Sequence, residues 1–334
     1  LIIMPGFIAT DSNNEISNLG RGGSDYTASV MANYTNSEAL EIWTDVSGVF
    51  SANPKIVKNS KAIESLSYKE AMELSFFGAK VIYFPTLQPL IEKSIPAYIK
   101  NTFDKDAIGT CISNKGENNE ESTIKGISHI EKISLINFEG SGMVGVPGFS
   151  KRFFGALSER GINVIMITQA SSEFSICVAV KESDANNAKI SIDKEFEYEI
   201  SQRKINECQI ENSLSNIAIV GDKMKSKKGV SGKLFSTLGN NNINIRAIAQ
   251  GASERNISII IDEKDNTKAL NSLHEAFFEN NCKNLHLFIT GVGNVGSNLI
   301  RQISDQKKSL EESLGLKMKV MALSNSKKML LSDT

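Results

Sequence analysis

The sequence predicts an α/β protein built in three successive segments, and three observations carry that reading. Strand-like and helical runs alternate up to a polar stretch near residue 114, the chain beyond repeats itself at an offset of 81 positions, and near residue 290 a glycine turn joins an apolar strand to a helix start. Alternation of this kind builds a largely parallel sheet with helices on its faces. Recurrence at a fixed offset marks duplication.

The first segment, residues 1–113, places strands at Ile2–Ala9, Ala39–Thr44 and Ala97–Lys100, with helical patterns at Ser24–Asn36 and Ser67–Phe77. Ser67 is expected to cap the second of these helices, and Glu70, three residues on, to reach back to it. Residues 113–122 are polar throughout and cannot cover a core, so a linker is expected over 114–126.

The second segment, 127–283, holds the repeat. The offset places Gly148 on Gly229, Ser150 on Ser231, Phe154 on Phe235, Ile162-Asn163 on Ile243-Asn244 and Gln169 on Gln250, with eleven identities over the 29 positions from Gly148 to Ile176. Each copy reads strand, helix, strand, strand, helix. In the first copy these fall at Lys132–Asn137, Phe149–Glu159, Asn163–Thr168, Phe174–Val180 and Asp184–Ile192. That order belongs to a ferredoxin-like unit, and two such units can pair side by side.

The third segment, 284–334, opens with the strand Leu285–Thr290, the turn Gly291-Val292-Gly293-Asn294-Val295-Gly296, a helix start at Ser297–Ser304 and a second strand at Lys319–Leu323. A Gly-x-Gly-x-x-Gly turn between strand and helix is the fingerprint of a Rossmann domain binding a dinucleotide. After the second strand stand Ser326 and Lys327 rather than an acidic residue, which suits a 2′-phosphate and favours NADP(H) over NAD. An exposed helix start is the other reading of Lys327 and Lys328.

Charge and composition narrow the partners. Thirty-seven basic and 38 acidic residues nearly cancel and are interspersed, so nucleic acid and anionic membranes are not expected partners. No apolar run approaches the roughly 18–20 residues that cross a bilayer. Cys111, Cys177, Cys208 and Cys282 form no Cys-x-x-Cys pair and the three histidines are scattered, which argues against a bound metal or a disulfide framework and for the cytoplasm. The opening Leu1-Ile2-Ile3-Met4 reads as a strand entered midway, and the chain ends at Thr334 short of a full nucleotide-binding fold, so both ends are expected to be cut.

Three clusters in the first segment can carry chemistry. Gly20-Arg21-Gly22-Gly23-Ser24-Asp25-Tyr26 runs into a helix expected to be capped by Ser24 or Asp25, and offers backbone N–H groups and a guanidinium to an anion. A plain surface turn is the equal alternative. Thr44 and Asp45 follow a strand, where α/β sheets bind ligands, and Phe50, Asn53 and Lys55 come next. A routine Asx turn competes with that reading. Lys80 could reach a phosphate or be only a solvated charge.

Together these segments resemble the aspartate kinases of the amino-acid kinase superfamily, on Gly20–Tyr26, Ile42-Trp43-Thr44-Asp45-Val46 and Phe77-Gly78-Ala79-Lys80-Val81. The resemblance implies that Arg21 and Asp25 serve aspartate and catalysis, with Gly22, Gly23 and Ser24 beside the substrate. Thr44, Asp45, Phe50, Lys55, Lys80 and Val81 would contact Mg-ATP. Phe50, Asn53 and Lys55 stand where the family usually has tyrosine, aspartate and arginine, and Tyr83-Phe84-Pro85 replaces a His-Pro-Arg stretch. The family's Lys-Phe-Gly-Gly loop would precede Leu1, so the chain alone is expected not to phosphorylate aspartate.

The repeats resemble ACT domains that sense amino acids, which implies effector contacts at Ile162, Asn163, Gln169, Ile243, Asn244 and Gln250. Asn163 and Asn244 also read as turn openers. The third segment resembles the start of homoserine dehydrogenase, with Gly291, Val292, Gly293, Asn294, Val295, Gly296, Ser326 and Lys327 on the cofactor. The order of the three implies the fused aspartokinase–homoserine dehydrogenase family. Its members serve threonine, methionine and lysine biosynthesis, with threonine (or lysine, as in relatives of similar fold) as effector and homo-oligomers formed through ACT domains. A non-catalytic sensing module and a single-function aspartokinase are the competing readings.

Overall fold

The computed structural model describes residues 2–78, 82–114, 123–169, 174–251, 253, 255–279, 283–314 and 316–331. The chain divides into two compact units, 1–274 and 275–334. Most of the expected linker, and Cys282, lie outside the described residues.

In the first unit, β1 (Ile8–Thr10) and β2 (Ile16–Asn18) form an antiparallel hairpin. The strand expected over Ile2–Ala9 is confined to its last residues, because Gly6 and Phe7 take φ of 63° and 77° and break the extended run. Then come α1 (Gly23–Tyr34), β3 (Leu40–Thr44), β4 (Ser65–Ser67), α2 (Tyr68–Phe76), α3 (Leu87–Lys93), β5 (Ala97–Asn101) and β6 (Thr110–Ser113). The sheet order is β3-β5-β6-β4, parallel at β3/β5 and β4/β6 and antiparallel at β5/β6. Leu66, Leu74, Leu87, Leu90, Ile99 and Ile112 fill its core at full burial. Ser67 caps α2 as expected: its Oγ accepts the Glu70 N–H at 3.1 Å, and Glu70 Oε2 accepts the Ser67 N–H at 2.9 Å.

The duplicated region forms one six-stranded antiparallel sheet. Its elements are β7 (Gly126–Glu139), α4 (Phe149–Ser158), β8 (Val164–Gln169), β9 (Ser175–Lys181), α5 (Ala185–Glu195), α6 (Glu197–Ser201), β10 (Gln209–Val220), α7 (Val230–Asn240), β11 (Ile245–Ala249), β12 (Asn256–Asp262) and α8 (Asn266–Phe278). The strand order is β11-β12-β10-β7-β9-β8, so the long strands β7 and β10 run through both copies. On β7, Ile133–Glu139 pairs with β9 while Gly126–Asn137 pairs with β10, with register shifts between Glu211 and Asn216. The edge strands β8 and β11 meet in a shared core of Ile165, Met166 and Ala247 with Ile133, Leu214 and Ile260. A second core of Phe138, Phe153 and Phe196 lies under α4 and α5. Val220, the last residue of β10, joins the core of the first sheet, so the duplicated region packs against that sheet.

The second unit contains β13 (Lys283–Thr290), α9 (Asn294–Leu314), β14 (Leu316–Ser324) and β15 (Met329–Leu331). β13 and β14 are parallel, and β15 returns antiparallel along β14. This is a strand-helix-strand unit with an added hairpin.

Candidate functional site

The glycine loop is built by left-handed backbone. Gly20 and Gly22 take φ of 71° and 75°, and Gly22 is the N-cap of α1. The side-chain cap expected from Ser24 or Asp25 is not made, because the helix begins at Gly23, ahead of both; Ser24 Oγ instead donates to Asp25 Oδ1 at 3.3 Å. A side chain at Gly22 would overlap Tyr83, so the loop closes against the segment that follows Lys80 in sequence. Asp25 also accepts the Tyr83 backbone N–H, and burial raises its pKa above the ordinary carboxylate value. Arg21 is exposed on the loop. The loop therefore sets a half-buried carboxylate and a guanidinium beside open backbone.

The second polar group gathers where β3 and β5 end side by side. Thr44 Oγ1 donates to Asp45 Oδ1 at 3.2 Å, and Asn101, closing β5, donates through Nδ2 to Ser47 Oγ at 2.9 Å. Sequence reasoning missed Asn101, whose only signal is that it ends the neighbouring parallel strand. Phe50 forms a β-bridge with Ala62, and exposed Lys55 follows a turn in which Asn53 Oδ1 accepts its N–H at 3.1 Å. Lys80 and Val81 lie outside the described residues.

In the duplicated region Gln169 ends β8 and Gln250 directly follows β11, both exposed. Gln169 borders a hollow of about 400 Å³ with Gly148, Phe149 and Ser150 at the start of α4. Gln250 borders one of about 280 Å³ with the equivalent Gly229, Val230 and Ser231 at the start of α7. Lys225, Lys227 and Lys228 also line the second, at positions where the first copy of the repeat has Val144, Val146 and Pro147 in sequence. Both glutamines further line a cleft of about 430 Å³ between β8 and β11. The structure does not bring the other expected effector residues there. Ile162 and Ile243 are buried in the core, and Asn163 and Asn244 precede the strands that the glutamines close, about 20 Å away along a six-residue strand.

In the second unit Gly291 takes φ 97°, its N–H donates to the Ser324 carbonyl at 2.7 Å, and a side chain on Gly296 would overlap the Gly291 carbonyl. Such glycine packing brings strand and helix close together. Val295 is 85% exposed. Ser326 and Lys327 occupy a tight turn between β14 and β15, held by Asn325 Oδ1, which accepts the Lys327 and Lys328 N–H groups at 2.8 Å. The helix start weighed for the two lysines is therefore replaced by a hairpin turn, because β15 folds straight back. Among the described residues no three His, Cys, Asp or Glu side chains gather as metal ligands, and no helix is long and apolar enough to cross a membrane.

The amino acid kinase family model matches residues 1–101, and the ACT domain model matches 136–196 and 217–277. The bifunctional aspartokinase/homoserine dehydrogenase of Haemophilus influenzae is 41% identical over 333 residues, all of this chain and 40% of that protein. The chain thus spans about two fifths of the length of such relatives. Among solved structures, the aspartate kinase of Clostridium acetobutylicum matches with a TM-score of 0.72 and 32% identity, over 82% of this chain and 62% of that one. Aspartokinase III of E. coli, in complex with aspartate and ADP, matches with a TM-score of 0.69 and 29% identity, over 82% and 60%. Similar along its whole length to the fused enzymes, and carrying a kinase segment with two ACT domains, the chain belongs to the bifunctional aspartokinase/homoserine dehydrogenase family.

Proposed function

We propose that this chain works as kinase segment, sensor and dehydrogenase entry of a protein that phosphorylates the side-chain carboxylate of aspartate with Mg-ATP and reduces aspartate semialdehyde to homoserine, with threonine as feedback effector. The reading assigns residues 1–113 to the kinase, 114–126 to a linker, 127–283 to the ACT pair and 284–334 to the dehydrogenase. Arg21 would fork onto a substrate carboxylate, and Asp25 would organise the glycine loop by holding the Tyr83 amide. Thr44 and Asp45, with Asn101 beside them, would take the nucleotide. Phosphoryl transfer of this kind runs on positioning and charge neutralisation.

For the dehydrogenase part, the close approach of Gly296 to Gly291 and the Ser326-Lys327 turn fit a dinucleotide carrying a 2′-phosphate. Bound NADPH would supply the hydride. Cys111, Cys177 and Cys208 form no disulfide among the described residues, which fits a reducing, cytoplasmic setting, and the edge strands β8 and β11, with Ile167 and Ile248 exposed, fit a homo-oligomer joined through the ACT pair.

One observation carries the sensing role: glutamines at equivalent positions of a duplicated fold each stand exposed beside a hollow. An amide side chain offers donor and acceptor together, which a zwitterionic amino acid needs. Calorimetric titration with threonine and, in parallel, lysine tests it. Saturable heat with threonine alone is expected; heat with lysine alone would reassign the effector, and none with either would remove the sensing role.

A further inference from the structure

We propose that the cleft between β8 and β11 is a binding site for a small uncharged molecule bearing a carboxamide, held at its floor by Ser258 and Asn216. The site is separate from the two hollows at the starts of α4 and α7 and does not rest on the sensing role. Ser258 lines the cleft, is 2% exposed, and its Oγ meets no hydrogen-bond partner among the described residues. Asn216, in the middle of β10, is fully buried, and both its Nδ2 and its Oδ1 are unpartnered among the described residues as well. Antiparallel pairing sets Asn216 directly opposite Ile130 on β7 and Ile260 on β12, and directly opposed residues share a face of the sheet. Ile260 lies two residues from Ser258 and packs in one core with Ile165 and Met166, which also line the cleft. Asn216 and Ser258 are therefore diagonal neighbours on the face that the cleft opens onto.

Buried amides and hydroxyls are almost always paired, because an orphaned group forfeits its hydrogen bonds to water and gains none in return. Three orphaned atoms on one face of two neighbouring strands mark a place for a partner from outside the chain. The cleft beside them holds about 430 Å³, against about 30 Å³ for a water, so it has room for a molecule of several heavy atoms. None of the described residues lining the cleft is charged. An ion entering it would leave water without gaining a counter-charge, which favours an uncharged ligand. An amide with both atoms free is complemented at two points by another amide, whose carbonyl accepts from Asn216 Nδ2 and whose N–H donates to Asn216 Oδ1. The Ser258 hydroxyl adds a third point, and Phe77, Ile165 and Met166 offer an apolar wall to the hydrocarbon part of the ligand.

Nuclear magnetic resonance of the whole chain, isotope-labelled in its asparagine side-chain amides and titrated with isobutyramide or its charged analogue isobutyrate, tests the proposal. The Asn216 resonances, identified by their loss in Asn216→Leu or Asn216→Ser, should shift saturably with isobutyramide, and isobutyrate should bind at least about tenfold more weakly. Calorimetry of the variants should show Ser258→Ala binding isobutyramide several-fold more weakly and Asn216→Leu not binding it. Asn216→Leu, an apolar side chain of similar size, should also raise the unfolding midpoint by a few degrees, because two orphaned atoms leave the core. No saturable shift in the unaltered chain, which would leave water as the only partner of the amide, overturns the proposal whether or not the variants fold. Equal affinity for isobutyrate overturns the choice of an uncharged ligand. A lower midpoint for Asn216→Leu would mean that the fold itself satisfies the amide, and overturns the proposal too.

Discussion

His274 Nε2, on the last helix of the ACT pair, lies 2.9 Å from Ser51 Oγ in the kinase segment, and both residues are buried. Ser51 Oγ also accepts the Lys61 N–H at 3.0 Å, and its carbonyl accepts the Ile127 N–H at 2.8 Å. Ser51 directly follows Phe50, so α8 grips the segment that the nucleotide reading uses. Removing Ser51 Oγ takes a buried hydrogen bond from both His274 Nε2 and the Lys61 N–H. Ser51→Ala is expected to cost about 1–3 kcal/mol, and the Ser51→Ala/His274→Ala double variant less than the sum by at least about 0.5 kcal/mol. Urea unfolding read by Trp43, the single tryptophan, measures both.

The start of α2 gives a second expectation. Glu70 is 4% exposed and satisfies two amides, those of Ser67 and Asp222. Ser67→Ala should cost about 1 kcal/mol as a lost cap, and Glu70→Ala about 2–3 kcal/mol because two donors lose their acceptor. Equal costs in urea unfolding would mean that the Asp222 contact contributes nothing.

Two glycines separate backbone strain from crowding. Gly78 and Gly148 take φ of 105° and 98°, yet a side chain would overlap the His129 carbonyl at Gly78 and meet nothing within 4 Å at Gly148. Gly148→Ala should cost about 1–2 kcal/mol from conformation alone, and Gly78→Ala about 2–4 kcal/mol. Matching unfolding midpoints for the two variants would remove the close contact between α2 and β7.

Asp25 sets a pH dependence. Burial raises its folded pKa above the unfolded value of 3.8, so the folded chain holds a proton the unfolded chain releases. Its contribution to stability is best below 3.8 and is lost as pH rises through the folded pKa. Asp25→Asn should therefore raise the thermal midpoint by a few degrees at most at pH 7 and confer no advantage once the pH falls below 3.8. A gain that persists in acid would contradict burial as the cause.

Local chemistry was legible in the sequence, and pairing was not. The Ser67/Glu70 box lies within four residues, and the 81-residue repeat fixes two equivalent folds, so both could be read directly. That β7 and β10 thread both copies follows from long-range pairing, which local residue types do not encode. For the same reason Asn101 and the Ser51–His274 contact were invisible. Ser24 looked like the cap of α1 by residue type, but Tyr83 packs where a Gly22 side chain would stand, and that left-handed glycine starts the helix. Asn163 and Asn244 share the repeat with the glutamines, yet strand geometry carries them to the far end.

The account turns on Gln169 and Gln250 gripping a free amino acid. Threonine titration of the chain beside its Gln169→Ala/Gln250→Ala variant tests this most directly, since both side chains are exposed and their loss should leave the unfolding free energy within about 0.5 kcal/mol. Saturable heat from the unaltered chain that disappears in the equally stable variant is the predicted result. Undiminished threonine binding by the variant would contradict it.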